Sequence, residues 1–355
     1  MARIRLQNVS KTFGTFTAVE DLDLDVANGE FFVLLGPTGA GKTTTLRMIA
    51  GLEKPTVGHL LIDDNEVNDW GPAERDVALV LQQYSLYPRL TVRDNLAFPL
   101  RSRVRRMSQA DIDQRIEYAS RTLRIGHLLD RKTDRLSGGE MQRVSIGRAI
   151  VREPQVFLMD EPLSALDAKL RESLRSELKD LQMRLGATFI FVTHDQVEAM
   201  TMGDRIGILN HGKLVQVGTP QEVYSNPRDT FVAGFVGSPP INLLQGRMVG
   251  NGAMLGEGVT LPMSGGGGEG HYTFGIRPEN ILVEAGAPIG ARIHDIENHG
   301  IEKIITLRVG TNLVRATVPA RVEVAVEEEV RFGWQPDKVM LFDARTGLNL
   351  RYQAA

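Results

Sequence analysis

Gly36-Pro37-Thr38-Gly39-Ala40-Gly41-Lys42-Thr43-Thr44 decides the fold. It follows the unbroken apolar run Phe31-Phe32-Val33-Leu34-Leu35 and leads into Thr45-Leu46-Arg47-Met48-Ile49-Ala50, which has helical character. Strand, glycine-rich turn and helix in that order are the setting that G-x-x-x-x-G-K-[ST] requires. Each residue type has a chemical reason. Glycines let the backbone turn its N–H groups inward, and the opening helix adds a positive partial charge facing an anion. Lys42 is a mobile point charge for β- and γ-phosphate oxygens. The Thr43 hydroxyl is a hard oxygen ligand of the kind Mg²⁺ takes. The stretch predicts a nucleoside triphosphate site.

Around it the chain reads as an α/β domain. Asp21-Leu22-Asp23-Leu24-Asp25-Val26 alternates with period two, a strand with one wet face. Val156-Phe157-Leu158-Met159 and Phe189-Ile190-Phe191-Val192 are continuous and apolar like Phe31–Leu35, the pattern of parallel strands buried on both faces. Leu170, Leu174, Leu178, Leu181 and Leu185 recur at helical spacing, as do Ile112, Ile116, Ala119 and Leu123 within 111–125. A break falls at Gly237-Ser238-Pro239-Pro240. Beyond it, short β-branched segments such as Ile304-Ile305-Thr306-Leu307-Arg308-Val309 and the alternation of Val322, Val324 and Val326 predict an all-β domain. Gly265–Gly268 is expected to be a loop.

Composition narrows the function. Length 355 suggests two or three domains, and 42% hydrophobic with 24% charged residues is globular composition. Cysteine is absent, which excludes disulfides, thiolate metal sites and thiol catalysis. The formal charge of −3 gives no overall footprint for nucleic acid. From residue 240 onward, 11 Lys/Arg face 13 Asp/Glu, so this part lacks the basic groove that single strands demand. Arg101-Ser102-Arg103-Val104-Arg105-Arg106 is a dense basic run, a solvated face or a contact for lipid headgroups or an acidic loop. The start at Met1-Ala2-Arg3-Ile4-Arg5 has no apolar core of a secretory signal, and no apolar run approaches the ~18 residues of a membrane span. A soluble, cytoplasmic, at most peripheral protein is expected.

Further acids and donors stand where strands end. Asp160-Glu161 closes the run 156–159: the first is placed to hold Mg²⁺, the second to orient or deprotonate a water. His194 follows Val192-Thr193, a neutral donor in reach of a γ-phosphate. Gln82 follows Val77-Ala78-Leu79-Val80-Leu81 and offers an amide oxygen to the metal or water. Leu136-Ser137-Gly138-Gly139-Glu140 opens a helical segment, a second anion-binding surface. One phosphate chain does not need two complete cradles, so this surface is expected to close over another copy's nucleotide in a two-fold dimer.

These pieces together resemble the nucleotide-binding subunit of an ATP-binding cassette (ABC) transporter. They are the loop 36–44, Gln82, Leu136–Glu140, Asp160-Glu161, Ser164-Ala165-Leu166-Asp167 and His194, in register over about 235 residues. Ser85-Leu86-Tyr87-Pro88, the stretch Phe231–Pro239 and Gly275-Ile276-Arg277-Pro278-Glu279 make it most similar to the carbohydrate importers typified by the maltose-importer ATPase. The resemblance implies an α/β P-loop ATPase domain over 1–236, with a helical subdomain about 88–152, and a C-terminal all-β OB-like domain over 237–355. It implies ATP and Mg²⁺ as cofactors, with Thr43, Gln82 and Asp160 at the metal. It implies Phe13 stacking on adenine and Asp167 communicating across the dimer. It also implies Glu161 as general base, with Lys42, Gln82 and His194 assisting. The implied partners are a second copy, two transmembrane permease subunits docking near 83–90, and through them a periplasmic or extracellular solute-binding protein. The implied place is the cytoplasmic face of the bacterial inner membrane. Glu140 stands where this family usually has Gln, a difference expected to be tolerated because Ser137 and the glycine N–H groups make the phosphate contacts. Soluble cassette proteins that act on DNA or ribosomes usually carry two cassettes or a long coiled-coil insertion, and here only 95 positions separate Lys42 from Ser137.

Overall fold

A computed structural model describes residues 2–102, 107–249, 252–255, 259–262 and 268–352. Most of the basic run (103–106) and of the glycine run (265–267) lies outside the described residues. The chain divides into two compact units, Met1–Pro220 and Gln221–Ala355.

In the first unit, β1 (Ile4–Phe13) and β2 (Phe16–Val26) form a long hairpin extended by β4 (Val57–Ile62) and β5 (Asn65–Glu66) into an antiparallel sheet, while β3 (Phe31–Leu35) belongs to a second sheet. Leu22, Leu24 and Val26 of β2 are buried and the three aspartates between them exposed, as the alternation predicts. The second sheet runs β10-β9-β3-β8-β7-β6, with β6 (Val77–Val80), β7 (Val156–Asp160), β8 (Thr188–Thr193), β9 (Arg205–Asn210) and β10 (Lys213–Gly218). All its pairings are parallel except β9–β10. Every residue of β3, β7 and β8 is buried, which explains why their sequences show no alternation.

α1 (Lys42–Ile49) leaves β3 through the glycine turn; α2 (Val92–Ala97), α3 (Gln109–Thr122) and α4 (Gly138–Ile150) lie together in sequence between β6 and β7. α5 (Ala168–Leu185) buries Leu174, Leu178 and Leu181 and leaves Leu170 and Leu185 half-covered at its ends. Gly186, at φ 60, ends it, and α6 (Gln196–Met202) follows β8. Helices pack against the parallel sheet, α1 on β7 and β8, α6 on β3 and β8, and α4 on β6. Parallel strands present their C-terminal ends, and the loops leaving them, on one side of the sheet. The phosphate loop, Asp160-Glu161 and His194 all sit at such ends.

The second unit opens with two short helices, α7 (Pro220–Ser225) and α8 (Thr230–Phe235). The sequence break at Gly237 lies just after them. Then come β11 (Asn242–Val249), β12 (Gly252–Leu255), β13 (Val259–Pro262), β14 (Gly270–Ile276), β15 (Ile281–Val283), β16 (Ile289–Asn298), β17 (Glu302–Val309), β18 (Asn312–Pro319), β19 (Glu329–Trp334) and β20 (Met340–Asp343). They form two five-stranded sheets, β13-β12-β11-β14-β20 and β15-β19-β16-β17-β18. Leu244, Phe274 and Leu341 from one sheet meet Ile305, Leu307 and Phe332 from the other in a single core. Buried Asn242 ties the sheets: its amide donates to the Ile276 and Arg315 carbonyls (3.1 and 2.8 Å) and accepts from the Arg315 N–H (2.7 Å). The all-β expectation holds, with one correction. Val322, Val324 and Val326 are in a connection rather than a strand. There the chain turns on itself, Val322 donating to Pro319 and Ala325 to the Glu328 carboxylate, so no ladder forms.

Candidate nucleotide site

The phosphate loop is shaped by positions where a side chain has no room. Gly41 sits at φ 101, and a Cβ there would lie 2.6 Å from the Ala18 carbonyl oxygen. A Cβ on Gly36 would lie 2.4 Å from the Leu209 carbonyl oxygen. Both obstacles are backbone, which cannot step aside as a side chain does. The loop therefore closes tightly against β2 and β9 and aims α1 at a cavity of about 490 Å³. Thr38, Gly39, Ala40, Gly41, Lys42, Thr43, Thr44, Gln82, Glu161 and His194 line it, as do two residues the sequence does not single out, Phe16 and Ala18. Pro37 contributes its carbonyl to the lysine.

Lys42 is buried, and its ammonium donates to the Gly36 and Pro37 carbonyls at 2.9 and 3.0 Å. Burial lowers its pKa, opposed by the carboxylates of Glu161, 3.7 Å away, and Asp160. Those donors are poised to exchange loop carbonyls for phosphate oxygens. Asp160 is also buried, and burial pushes its carboxyl up, the Thr43 hydroxyl donating to it at 3.0 Å in opposition. A buried acid and an adjacent hydroxyl form a hard-oxygen pair suited to a divalent cation. Among the described residues no group of three or more His, Cys, Asp or Glu is placed to hold a metal ion.

Glu161 takes φ 44, the left-handed region, while its N–H still donates to the Val192 carbonyl at 2.9 Å. That turn off the end of β7 swings its carboxylate into the cavity, where His194 Nδ1 lies 2.9 Å from Oε2. Non-glycine residues held at positive φ cluster at functional sites. Gln82, just beyond β6, is exposed, and its amide donates to Ser164 Oγ (3.2 Å). Ser164 in turn donates to the Glu161 carbonyl (2.9 Å). This serine couples Gln82 to the Glu161 backbone. The only hint of it in the sequence was its place before Asp167.

The second anion-binding element is equally well built but elsewhere. Ser137 caps α4, and the Ser137 N–H and Oγ–H both donate to Glu140 Oε2, at 2.8 and 3.0 Å. Those bonds, first the backbone one, hold the Glu140 carboxyl below its usual range. A Cβ on Gly139 would lie 2.2 Å from a methyl of the half-covered Leu170, whose side chain would have to turn aside. Asp167 caps α5, accepting from Leu170 N–H at 3.0 Å. None of Leu136–Glu140, nor Asp167, is among the cavity walls, and neither is Phe13.

The segment 83–90 borders a second groove of about 700 Å³, with Gln83, Tyr84, Leu86, Pro88, Asp134 and Met141 among its walls and Gln82 shared with the first cavity. α4 holds this segment. Ser145 donates to the Tyr84 carbonyl (3.0 Å), and Arg148 donates to the Ser85 carbonyl (2.7 Å) while lying 5.4 Å from the Tyr87 ring centroid. One helix thus carries Ser137 at its start and this groove along its side.

Comparison with known proteins agrees with the geometry. Residues 19–164 match the ABC transporter family, 237–281 the MalK OB fold domain and 274–342 the TOBE domain. The chain is 48% identical to the trehalose/maltose import ATP-binding protein of Thermococcus litoralis, covering 98% of this chain and 99% of that one. It is 46% identical to the sulfoquinovosyl glycerol transport ATP-binding protein of Agrobacterium fabrum over the same shares. A solved dimeric ATP-binding cassette in a post-hydrolysis state, bound to ADP and phosphate, is 34% identical with a TM-score of 0.55, covering 61% of this chain and 98% of that one.

Proposed function

The chain belongs to the ATP-binding proteins of ABC importers, and from that premise we propose that it energises uptake of a sugar or sugar derivative by hydrolysing ATP in sites shared between two copies. One observation carries the half-site reading: the phosphate loop, Glu161 and His194 line one cavity, and the Ser137–Glu140 surface lines none of it. A second copy, turned face to face, supplies the missing surface. The dimeric cassette among the similar structures supports this arrangement.

Within each site the roles follow from the contacts. Lys42 and the loop N–H groups hold the β- and γ-phosphates. Thr43 and Asp160, with Gln82 beside them, are the oxygen donors that fit Mg²⁺. When bound, that ion supplies positive charge against the phosphate oxygens. Glu161 orients a water and takes its proton, and His194 keeps the carboxylate aimed while offering an N–H toward the γ-phosphate. Closure brings in the partner's Ser137 hydroxyl and glycine N–H groups and removes solvent. Hydrolysis is then confined to the closed state.

The grooves at 83–90 of the two copies receive the two transmembrane permease subunits, one each, and these in turn meet a solute-binding protein. Because α4 links that groove to Ser137, dimer closure and permease movement are mechanically joined. No helix of the described residues is long and apolar enough to cross a membrane, consistent with a peripheral subunit on the cytoplasmic face of the inner membrane. The test is uptake by proteoliposomes holding both permeases, the solute-binding protein and this chain. Lys42→Ala should leave the chain bound to the permeases and abolish ATP-driven uptake. Uptake that persists in that variant overturns the proposal.

A further inference from the structure

His194 sits in a short crossing from β8 to α6, and both of its neighbours are fastened. The Thr193 hydroxyl donates to the buried Glu198 carboxyl at 2.6 Å and accepts from the Asp195 N–H at 2.9 Å. Asp195 caps α6, its Oδ1 accepting from the Val197 and Glu198 N–H groups at 2.8 and 3.1 Å. Those bonds stay within β8 and α6. The other carboxylate oxygen reaches further, for Asp195 Oδ2 lies 3.4 Å from Arg171 Nη1. Arg171 stands in the first turn of α5, and its Nη2 donates to the Leu166 carbonyl at 2.9 Å. Its Nε is buried and has no partner among the described residues. Leaving a buried donor unpaired costs free energy, so the guanidinium is placed by the two acceptors that its rigid fork spans.

We infer that Arg171 is a positioning residue for hydrolysis: it ties Asp195 to the Leu166 carbonyl and so keeps the His194 ring at the Glu161 carboxylate. The inference rests on the nucleotide-site reading above and adds a residue that lines no part of that cavity. The contacts close a ring. Glu161 to Leu166 is a compact turn, with the Ser164 and Leu166 N–H groups donating to the Glu161 and Leu163 carbonyls at 3.3 and 3.2 Å. From Leu166 the ring runs through Arg171 and Asp195 to His194, and the 2.9 Å contact of Nδ1 with Glu161 Oε2 completes it. Without the guanidinium, that last contact has to hold the two loops in register by itself.

The full-length chain is compared with two variants. Arg171→Met keeps an unbranched apolar stem and removes the fork; Asp195→Asn still caps α6 but turns an amide N–H₂ toward the guanidinium. Each should lower kcat about tenfold, less than the about hundredfold that a misplacement of about 1 Å can cost. KM for ATP should stay within about twofold and the melting temperature within about 3 °C. The double variant should be no more than about twofold slower than the slower single one, because both changes break one link. In chain labelled with ¹⁵N-histidine, the His194 ring signal, identified by its absence in His194→Gln, should shift in both variants. An unmoved His194 signal overturns the inference, as does an unchanged kcat. Losses that multiply to about a hundredfold in the double variant overturn it too. So does a kcat loss accompanied by a raised KM and a lowered melting temperature, because Arg171 then only packs α5 against α6. Normal turnover in Glu161→Gln overturns the nucleotide-site reading instead, a distinct result because the His194 signal would still shift in Arg171→Met.

Discussion

Replacing Glu161 with glutamine removes a charge and a proton acceptor and leaves the shape almost intact. The backbone there is held by the Glu161 N–H to Val192 carbonyl bond at 2.9 Å, which the substitution does not touch. Thr43 still donates to Asp160 at 3.0 Å, so the metal-binding pair is also preserved. What changes is the 2.9 Å pairing of the carboxylate with His194 and its place 3.7 Å from the Lys42 ammonium. Positioned general bases contribute about 10²–10⁴ in rate, or roughly 2.7–5.5 kcal/mol of barrier at about 1.36 kcal/mol per decade. Turnover should therefore fall at least a hundredfold. ATP affinity should hold within about threefold or improve, because removing an anion from beside the phosphates lessens repulsion. Phosphate release measures the first, calorimetry the second, and size exclusion with ATP should show a longer-lived dimer. A rate loss under tenfold with binding intact refutes the assignment and places the base elsewhere.

Other expectations follow from single contacts. Gly139→Ala brings a Cβ to 2.2 Å from a methyl of the half-covered Leu170, which can turn aside, so the cost should stay below the about 1–3 kcal/mol of core overpacking and the melting temperature should fall only slightly. Gly138→Ala, whose nearest neighbour would be the Tyr84 hydroxyl at 3.5 Å, should melt normally. Glu140→Gln keeps an oxygen for the Ser137 N–H, and the assembled complex should change its ATPase by less than about tenfold; a larger rise marks the acid as a handicap. Tyr224 is pushed up to about 12, first by burial and then by its hydrogen bond to Glu279. A raised folded pKa means stability present below pH 10 and lost as pH climbs from 10 toward 12. The interval corresponds to at most about 2.7 kcal/mol at about 1.36 kcal/mol per pH unit, and partial exposure reduces it to about 1 kcal/mol. Urea midpoints at pH 9 and 11.5 should differ less in Tyr224→Phe than in the unaltered chain, and equal differences would remove Tyr224 from the alkaline transition.

What the sequence made legible and what it hid divide along physical lines. Short-range patterns carried well: continuous apolar runs in β3, β7 and β8 reported burial on both faces, and Ser137 with Glu140 three residues later is a capping box readable from spacing alone. The identity of the phosphate loop was equally plain, since its chemistry is contiguous. Contacts between distant segments were not. Ser164 bridging Gln82 to the Glu161 carbonyl joins two loops whose meeting depends on β6 lying parallel beside β7. Val322–Val326 misled for the opposite reason: alternation specifies a strand only where a partner offers a ladder, and here none does.

The claim that each site is shared between two copies is tested most directly by mixing two inactive proteins. Ser137→Ala disables one half of a site and Glu161→Gln the other. Random pairing makes half the dimers mixed, and each mixed dimer holds one intact site of two, so about a quarter of the unaltered ATPase rate should return. Mixing that restores nothing above the sum of the separate rates would contradict the account, because it would place Ser137 and Glu161 in the same site of one copy.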